Sequence, residues 1–600
     1  MKRYIIAGMV LCLGFSSCDD LLDLKPLSQI SQTDYFKTAT DLQLFSNSFY
    51  NNLLDKDPYD DQSDLYVQQT LSDVIIGGTK RVVPASGGGW SWSDLRKMNT
   101  LLEYADQCPD KSAVLKYKAL TRFFRAFFYF EKIKRFGDVP WYEVELASSD
   151  EALYKPRDSR ELVMTHMIED IDFAIENLPD EKKESSAPYR ATKWAAMALK
   201  ARFCLYEGTY RKYHHLTLDG HDYQYYLTQS AQAAAQLMKE GPYRLYTTGH
   251  PESDYLNLFA AEDANKDEYI LAIKFDYGMS IYHNATAHTL VPTQGRPGLT
   301  RKMVNTYLMK DGTAFTDKSG WQDMQFVEEV KDRDPRLAQS IRTPGYMRIG
   351  KTTVLAPDLS VSVTGYQPIK FVQDPTASGG NVDRNDRSTC DLPVYRYAEV
   401  LLNYAEAKAE LGTLTQSDLD ESINLIRKRI GMPALNLSTA NAAPDRYLSS
   451  KETGYSNVEG ANKGVILEIR RERAIELSQE GFRFDDLVRW KAGYCLDQDL
   501  TGMYFSGPGQ YDLSGNGKVD LILYAEGESK PSAASGVLVY KIGTDIILTG
   551  SNKGYVSYHK NIARTNFSEE RDYLYPIPTN ERSLNPNLKQ NPGWVDGLSF

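Results

Sequence analysis

Cysteine is scarce in this chain, six in 600 residues, with no CxxC pair and no spacing that would hold zinc. Histidine is nearly as rare, at eight. Neither His214-His215 with His221 nor His283 with His288 has a recognisable ligand spacing. Catalytic signatures are also missing: there is no HExxH, no GxSxG, no Walker loop and no GxGxxG in a βαβ setting. No cofactor is therefore expected, and no metalloenzyme or nucleotide-dependent enzyme. Past residue 18 no apolar run approaches the roughly 20 residues a spanning helix needs. Net charge is −11, with pI near 5.4 and mean hydropathy of −0.47. That balance argues against a nucleic-acid partner and against a basic face lying on anionic lipid.

What is present begins at the first residue. Lys2 and Arg3 precede an apolar run from Tyr4 to Phe15, and Ser16 and Ser17 stand before Cys18. This is the layout of a cleaved secretory signal, expected over residues 1–17. The cysteine resembles that of a bacterial lipobox, with Phe15 where Leu is usual. Cys18 then becomes a lipidated first residue, and residues 18–32 form a tether. Cys12 follows Leu11, which is not small, so Cys18 is preferred. Two or three acyl chains hold a protein on a membrane almost permanently, at about 0.8 kcal/mol per buried CH₂. Acidic residues directly after Cys18 resemble the surface-export signal of Bacteroidetes lipoproteins, which implies an outward-facing anchor. Cys108, Cys204, Cys390 and Cys495 are left, widely scattered, and read as small buried hydrophobes, with a bridge between two of them left open by the sequence.

Helical periodicity covers Asp34–Leu54, Ala113–Phe136, Ser159–Leu178, Thr192–Tyr206 (ending near Gly208) and Tyr223–Met238. These segments look like degenerate tetratricopeptide pairs, which bury their apolar faces by stacking. From residue 241 to 394 the texture becomes loop-rich, with strand-like runs at Glu268–Phe275, Val361–Tyr366 and Pro368–Val372. Helices return at Tyr397–Leu411, Gln416–Ile430 and Gly464–Gln479. Residues 496–572 read as an irregular insertion, with strands expected at Leu521–Tyr524 and Val537–Ile542. The expected fold is mainly α: a tetratricopeptide-like helical scaffold with a loop-rich, partly β lobe. Residues 33–600 form one domain, in an N-terminal helical half (33–240), the lobe (241–394) and a C-terminal half (395–600).

Four motifs carry a family likeness: Arg135–Tyr142 (RFGDVPWY), Tyr395–Ala407, Gly464–Trp490 and Tyr573–Trp594. In this order, behind a lipidated N-terminus, they resemble the SusD/RagB family of Bacteroidetes outer-membrane lipoproteins. The resemblance implies a cell-surface protein that binds a nutrient, most often an oligosaccharide, and passes it to a SusC-like TonB-dependent outer-membrane transporter. It implies no catalysis. A peptide receptor of the same family, a surface glycoside hydrolase and a purely structural surface protein are the rivals. The motifs themselves read as scaffold. Arg473, Glu476, Glu480, Arg483, Asp485 and Arg489 suit an ion-pair network between two helices, and Trp594 suits a plug into the core.

Sugar recognition calls for exposed flat aromatics beside amides, carboxylates or guanidinium groups. Trp90 and Trp92 sit on a glycine-rich loop (Ser86–Trp92) just before a helix, although Trp92 also suits packing at the helix start. Trp321 follows Asp311-Gly312 in a polar loop, and Tyr282 lies in a Gly/Thr/His-rich connection. These four are the expected ligand contacts, and the family resemblance implies that they converge on one face. Asp512, Ser514, Asn516 and Asp520 match positions 1, 3, 5 and 9 of an EF-hand loop, but Leu523 replaces the bidentate Glu at position 12. A polar turn is the plainer expectation there, with calcium as the weaker alternative.

Overall fold

A capping box opens the first described helix: the Thr38 hydroxyl accepts from the Asp41 amide, while the Asp41 carboxylate accepts from the Thr38 amide. The computed structural model describes residues 35–54 and 62–600. The expected signal peptide, Cys18 and the tether lie outside the described residues.

The long helices described in the N-terminal half are α1 (Ala39–Leu53), α2 (Ser93–Tyr104), α3 (Lys111–Phe136), α4 (Arg160–Asn177), α5 (Lys193–His214) and α6 (Tyr223–Glu240). They pack in sequence, α3 on α4, α4 on α5 and α5 on α6. α3 ends where Gly137 takes φ +73° and its amide returns to the Ile133 carbonyl. In the C-terminal half α7 (Tyr397–Glu410) docks on both α5 and α6, so the two halves share one helical core. α8 (Gln416–Asp420), α9 (Ile423–Arg429), α10 (Lys463–Glu476) and α11 (Arg483–Arg489) complete it. The four remaining cysteines are free and buried.

Several expected boundaries shift. The helix expected to end near Gly208 runs on to His214, because the missing side chain lets α6 approach. A Cβ at Gly208 would stand 2.7 Å from Leu227 Cγ and 2.9 Å from its amide nitrogen. Gln416–Ile430 is two helices, broken at Ser422, whose ψ of −93° leaves the helical region. Val361–Tyr366 and Pro368–Val372 form no strands. Their apolar residues are buried, but Gly365 at φ +83° turns the chain, and a lone bridge from Pro368 to Ile341 replaces a ladder.

The lobe is built on short strands: β1 (Tyr66–Val67) pairs with β3 (Gly298–Leu299), and β2 (Tyr269–Ile273) with β4 (Leu392–Arg396), all antiparallel. In the 496–572 segment β5 (Tyr504–Phe505) pairs with β9 (Gly554–Tyr555), and β6 (Gly509–Tyr511), β7 (Leu521–Tyr524) and β8 (Leu538–Lys541) form a three-stranded sheet. Met503, Phe505, Leu521 and Leu523 share a core with Tyr269, Phe275, Leu299 and Tyr366. This segment, expected as an insertion in the C-terminal half, is thus packed into the lobe.

The charge network expected between α10 and α11 reaches much further. Only Arg473 with Asp486, at 2.8 Å, joins the two helices directly. Glu476 takes Arg336, Arg396 and Arg429, Glu480 takes Arg396 and Lys370, and Arg489 takes Glu406 as well as Asp486. α10 lies at the centre of the molecule, so its charges are paired by whichever elements surround it. Trp594 is buried, and its indole N–H donates to the Leu574 carbonyl at 3.0 Å.

Candidate functional site

The Ser86–Trp92 loop turns its first tryptophan inward. Gly87, Gly88 and Gly89 all take positive φ, and the Trp90 amide donates back to the Gly87 carbonyl. Two cations of α3 pin the loop: Lys132 Nζ donates to the Gly89 carbonyl and Arg135 Nε to that of Gly88. Burial is the main cause that pulls the Lys132 pKa down to about 8. Trp90 is only 7 % exposed and meets Phe136 edge-on at 4.9 Å. The expectation of an exposed Trp90 is corrected.

Trp92, half-buried, meets Trp90 at 5.2 Å and packs on Phe128 and Tyr142 at the start of α2. Both tryptophans line a pocket of about 530 Å³ whose other walls include Leu95, Tyr142, Leu153 and Leu584. It is mostly apolar, and the nearby Asn99 and Asn585 amide groups already donate to backbone carbonyls.

Trp321 stands elsewhere, half-buried between Phe315 at 6.3 Å and Tyr447 at 5.9 Å. Its carbonyl accepts from Arg301. Among the described residues no ring contact joins Trp90 or Trp92 to Trp321 or Tyr282, so the four expected contacts do not form one aromatic cluster.

Tyr282 belongs to a partly exposed aromatic site. Beyond β2 the chain forms a small hairpin, closed by reciprocal backbone bonds of 3.0 Å between Asp276 and Ile281. Its tip, Tyr277 to Ser280, is exposed, with Tyr277 at 47 % and Met279 at 61 %. The Tyr282 hydroxyl donates to the Tyr277 carbonyl at 3.1 Å, and the two rings lie 6.2 Å apart. Arg387 places its guanidinium 4.7 Å from the centre of the Tyr282 ring. An amide chain extends the surface: the Asn284 carboxamide donates to Gln294 Oε1 at 3.0 Å and accepts from the Asp386 amide.

The base beneath this surface is rigid. Buried His283 hydrogen-bonds the Cys390 carbonyl at 2.9 Å, and its backbone bridges Ser388. The site therefore offers aromatic faces for C–H surfaces beside polar groups for hydroxyls. Sequence reading singled out Tyr282 of this surface and not Tyr277, Met279 or Arg387. Tyr277 opens the Tyr-Gly turn that ends the strand-like run, which was the available signal; Arg387 lies 105 positions after Tyr282 and carries none.

The EF-like stretch is a closed turn. The Asp512 carboxylate accepts from the Ser514 hydroxyl and the Asn516 and Gly517 amides, while Asp520 accepts from the Ser514 amide. Among the described residues no group of three or more His, Cys, Asp or Glu could hold a metal ion.

Residues 268–594 match the model of the SusD family, and residues 90–205 match a model described as starch-binding, associating with the outer membrane. SusD-like protein P38 of Formosa agariphila is 26 % identical over 532 residues, covering 82 % of this chain and 92 % of that protein. SusD-like protein P2 of the same organism is 25 % identical with the same coverage. The crystal structure of a SusD-like carbohydrate binding protein from Bacteroides fragilis superposes with a TM-score of 0.67 at 22 % identity, covering 92 % of this chain and 100 % of that one. A second SusD-like structure from B. fragilis gives 0.66 at 22 %, covering 95 % and 100 %. The helical scaffold is theirs, and with its own model matched over more than half its length this chain belongs to the SusD family.

Proposed function

We propose that the protein binds an oligosaccharide at the bacterial cell surface and hands it to a TonB-dependent outer-membrane transporter. The observation that carries the binding half is the pair of exposed Tyr277 and half-buried Tyr282, with Arg387 against one ring and the Asn284–Gln294 amides beside it. Such faces stack on sugar rings, and the amides and guanidinium answer equatorial hydroxyls. The carbohydrate binding named for the B. fragilis relative and the starch binding named for the matched family model support the same reading. That model's outer-membrane association agrees with a lipid anchor at Cys18. Among the described residues no helix is long and apolar enough to cross a membrane.

Calorimetry of the mature protein against neutral and acidic polysaccharides tests the binding. Affinity for at least one, with no new reducing ends after long incubation, is expected; steady sugar release in proportion to protein would establish a hydrolase instead. Cys18→Ala should leave the membrane fraction, and its full retention there would exclude the anchor.

A further inference from the structure

A second cleft, larger than the tryptophan pocket at about 1060 Å³, opens where the C-terminal end of α5 meets the 451–459 loop, the turn at Gly493–Asp497 and residues 566–569. It shares no lining residue with the tyrosine hairpin. Two backbone distortions shape it: His215 ends α5 at φ +53°, and Lys491 takes φ +50° directly after α11. Both are non-glycine residues in the left-handed region, where strain is retained by the surrounding packing.

The lining carries both signs of charge. Lys451 and Lys491 line the cleft together with Glu452, Glu459, Asp497 and Glu569, and both ammonium groups act electrostatically on the Glu569 carboxyl. Asp497 Oδ1 accepts from the Phe567 amide at 2.7 Å and Glu569 Oε2 from the Tyr573 hydroxyl at 2.8 Å. Burial raises both carboxyls above their ordinary pKa values. Asn566 is exposed, and the half-buried Tyr494 accepts at its hydroxyl from the Ser456 amide at 3.0 Å.

Cations and anions both line this cleft, so a fixed charge on a ligand gains from one set and loses to the other. A hydroxyl donates and accepts at once and can serve both. Tyr494 adds an aromatic ring to the same lining. We propose that this cleft is a second carbohydrate subsite, one that takes a neutral, hydroxyl-rich stretch of glycan and makes the protein bivalent for a long polysaccharide. The proposal rests on the carbohydrate reading above. Two sites on one molecule would raise the apparent affinity for a polymer above that for a short oligomer, provided one chain can span both.

The test is calorimetry with neutral oligosaccharides of the malto, cello, xylo, manno and laminari series on the full mature protein. Two sites per molecule are expected for whichever series binds. Tyr277→Ala/Tyr282→Ala should remove one and leave the other. Adding Lys451→Ala/Asn566→Ala, both exposed positions, should weaken the remaining site about tenfold, the loss of roughly one charge-assisted hydrogen bond. Thermal melts should not move for the Lys451/Asn566 pair. A photoactivatable analogue of the same sugar should label peptides from residues 451–459 or 566–569. A single site abolished by the hairpin variant, or residual binding indifferent to Lys451 and Asn566 with no label there, overturns the second subsite while leaving the first intact. Absence of any sugar binding in the wild-type protein overturns the carbohydrate reading itself.

Discussion

Arg483 closes on Asp64 across 419 positions of chain, with Nε and Nη2 at 2.8 and 2.7 Å from the two carboxylate oxygens. Lys302 donates to the same carboxylate at 2.5 Å. One buried acid thus ties α11, the strand-pairing loop before β1 and the helix after β3. Burial alone would raise the Asp64 pKa, but Arg483 and Lys302 outweigh it and hold it at about 2. Asp64→Asn removes the charge and strands two buried cations. Breaking such a pair from one side costs about 3–5 kcal/mol. Denaturant unfolding should show that loss; a change below roughly 1 kcal/mol, the value of an exposed pair, would mean that the cluster is solvated.

Gly208 gives a second test of long-range fit. Alanine in a helix interior ordinarily gains about 1 kcal/mol over glycine. Here its Cβ would meet the Leu227 side chain and backbone under 3.0 Å, and the backbone cannot swing aside. Gly208→Ala should therefore destabilise by about 1–3 kcal/mol, the usual range for overpacking. A rise in melting temperature would show that α5 and α6 can separate without penalty.

Gly208 also marks where sequence reading stops. A glycine late in a helical pattern looks like an end, and only the partner helix explains why it is not one. Helix periodicity is local, so α3, α4 and α7 were legible to within a few residues. The apolar run Val361–Val372 carries the burial of a strand without its pairing, because a run shows that residues are inside and not what they pair with. Trp90 was misjudged for a related reason. Three glycines suggest a loose loop, but Lys132 and Arg135 fix their carbonyls from a helix more than 40 positions away. Tyr282 was readable from its polar setting, whereas its partner Arg387 arrives from a distant segment.

Acid sensitivity should appear through His214. Its ring stacks on Tyr210 at 4.0 Å, and Nε2–H donates to the Val488 carbonyl at 2.8 Å. Burial, the largest cause, pulls its pKa down to about 4 despite that bond. The unfolded chain, with an ordinary value near 6.5, then binds more protons than the folded one below about pH 6.5. Stability is fully present above that pH and falls as pH drops toward 4, by about 3 kcal/mol at 1.36 kcal/mol per unit. His214→Gln should flatten the pH 4–6.5 limb of the stability curve. An unchanged slope would assign the acid limb to other groups.

The last prediction separates site from scaffold by comparing Tyr277, Tyr282 and Trp90. Tyr277 is nearly half exposed at a hairpin tip, and Tyr282 spends its hydroxyl on that hairpin's own carbonyl. Neither anchors a core, so Tyr277→Ala and Tyr282→Ala should leave the melting temperature almost unmoved. If both rings stack on sugar, each should cost about 1–3 kcal/mol of binding, by analogy with aromatic residues at interfaces, or roughly 5- to 150-fold in affinity. Trp90 is packed on Phe136 and Trp92 and should behave in the opposite way. Trp90→Ala should cost about 3–5 kcal/mol of stability, as large-to-small changes in cores do, with little direct effect on sugar affinity in the protein that still folds. Melts and titrations on the three variants decide the matter. Full affinity in the tyrosine variants together with weakened binding in a stably folded Trp90→Ala protein would move the sugar from the hairpin to the tryptophan pocket.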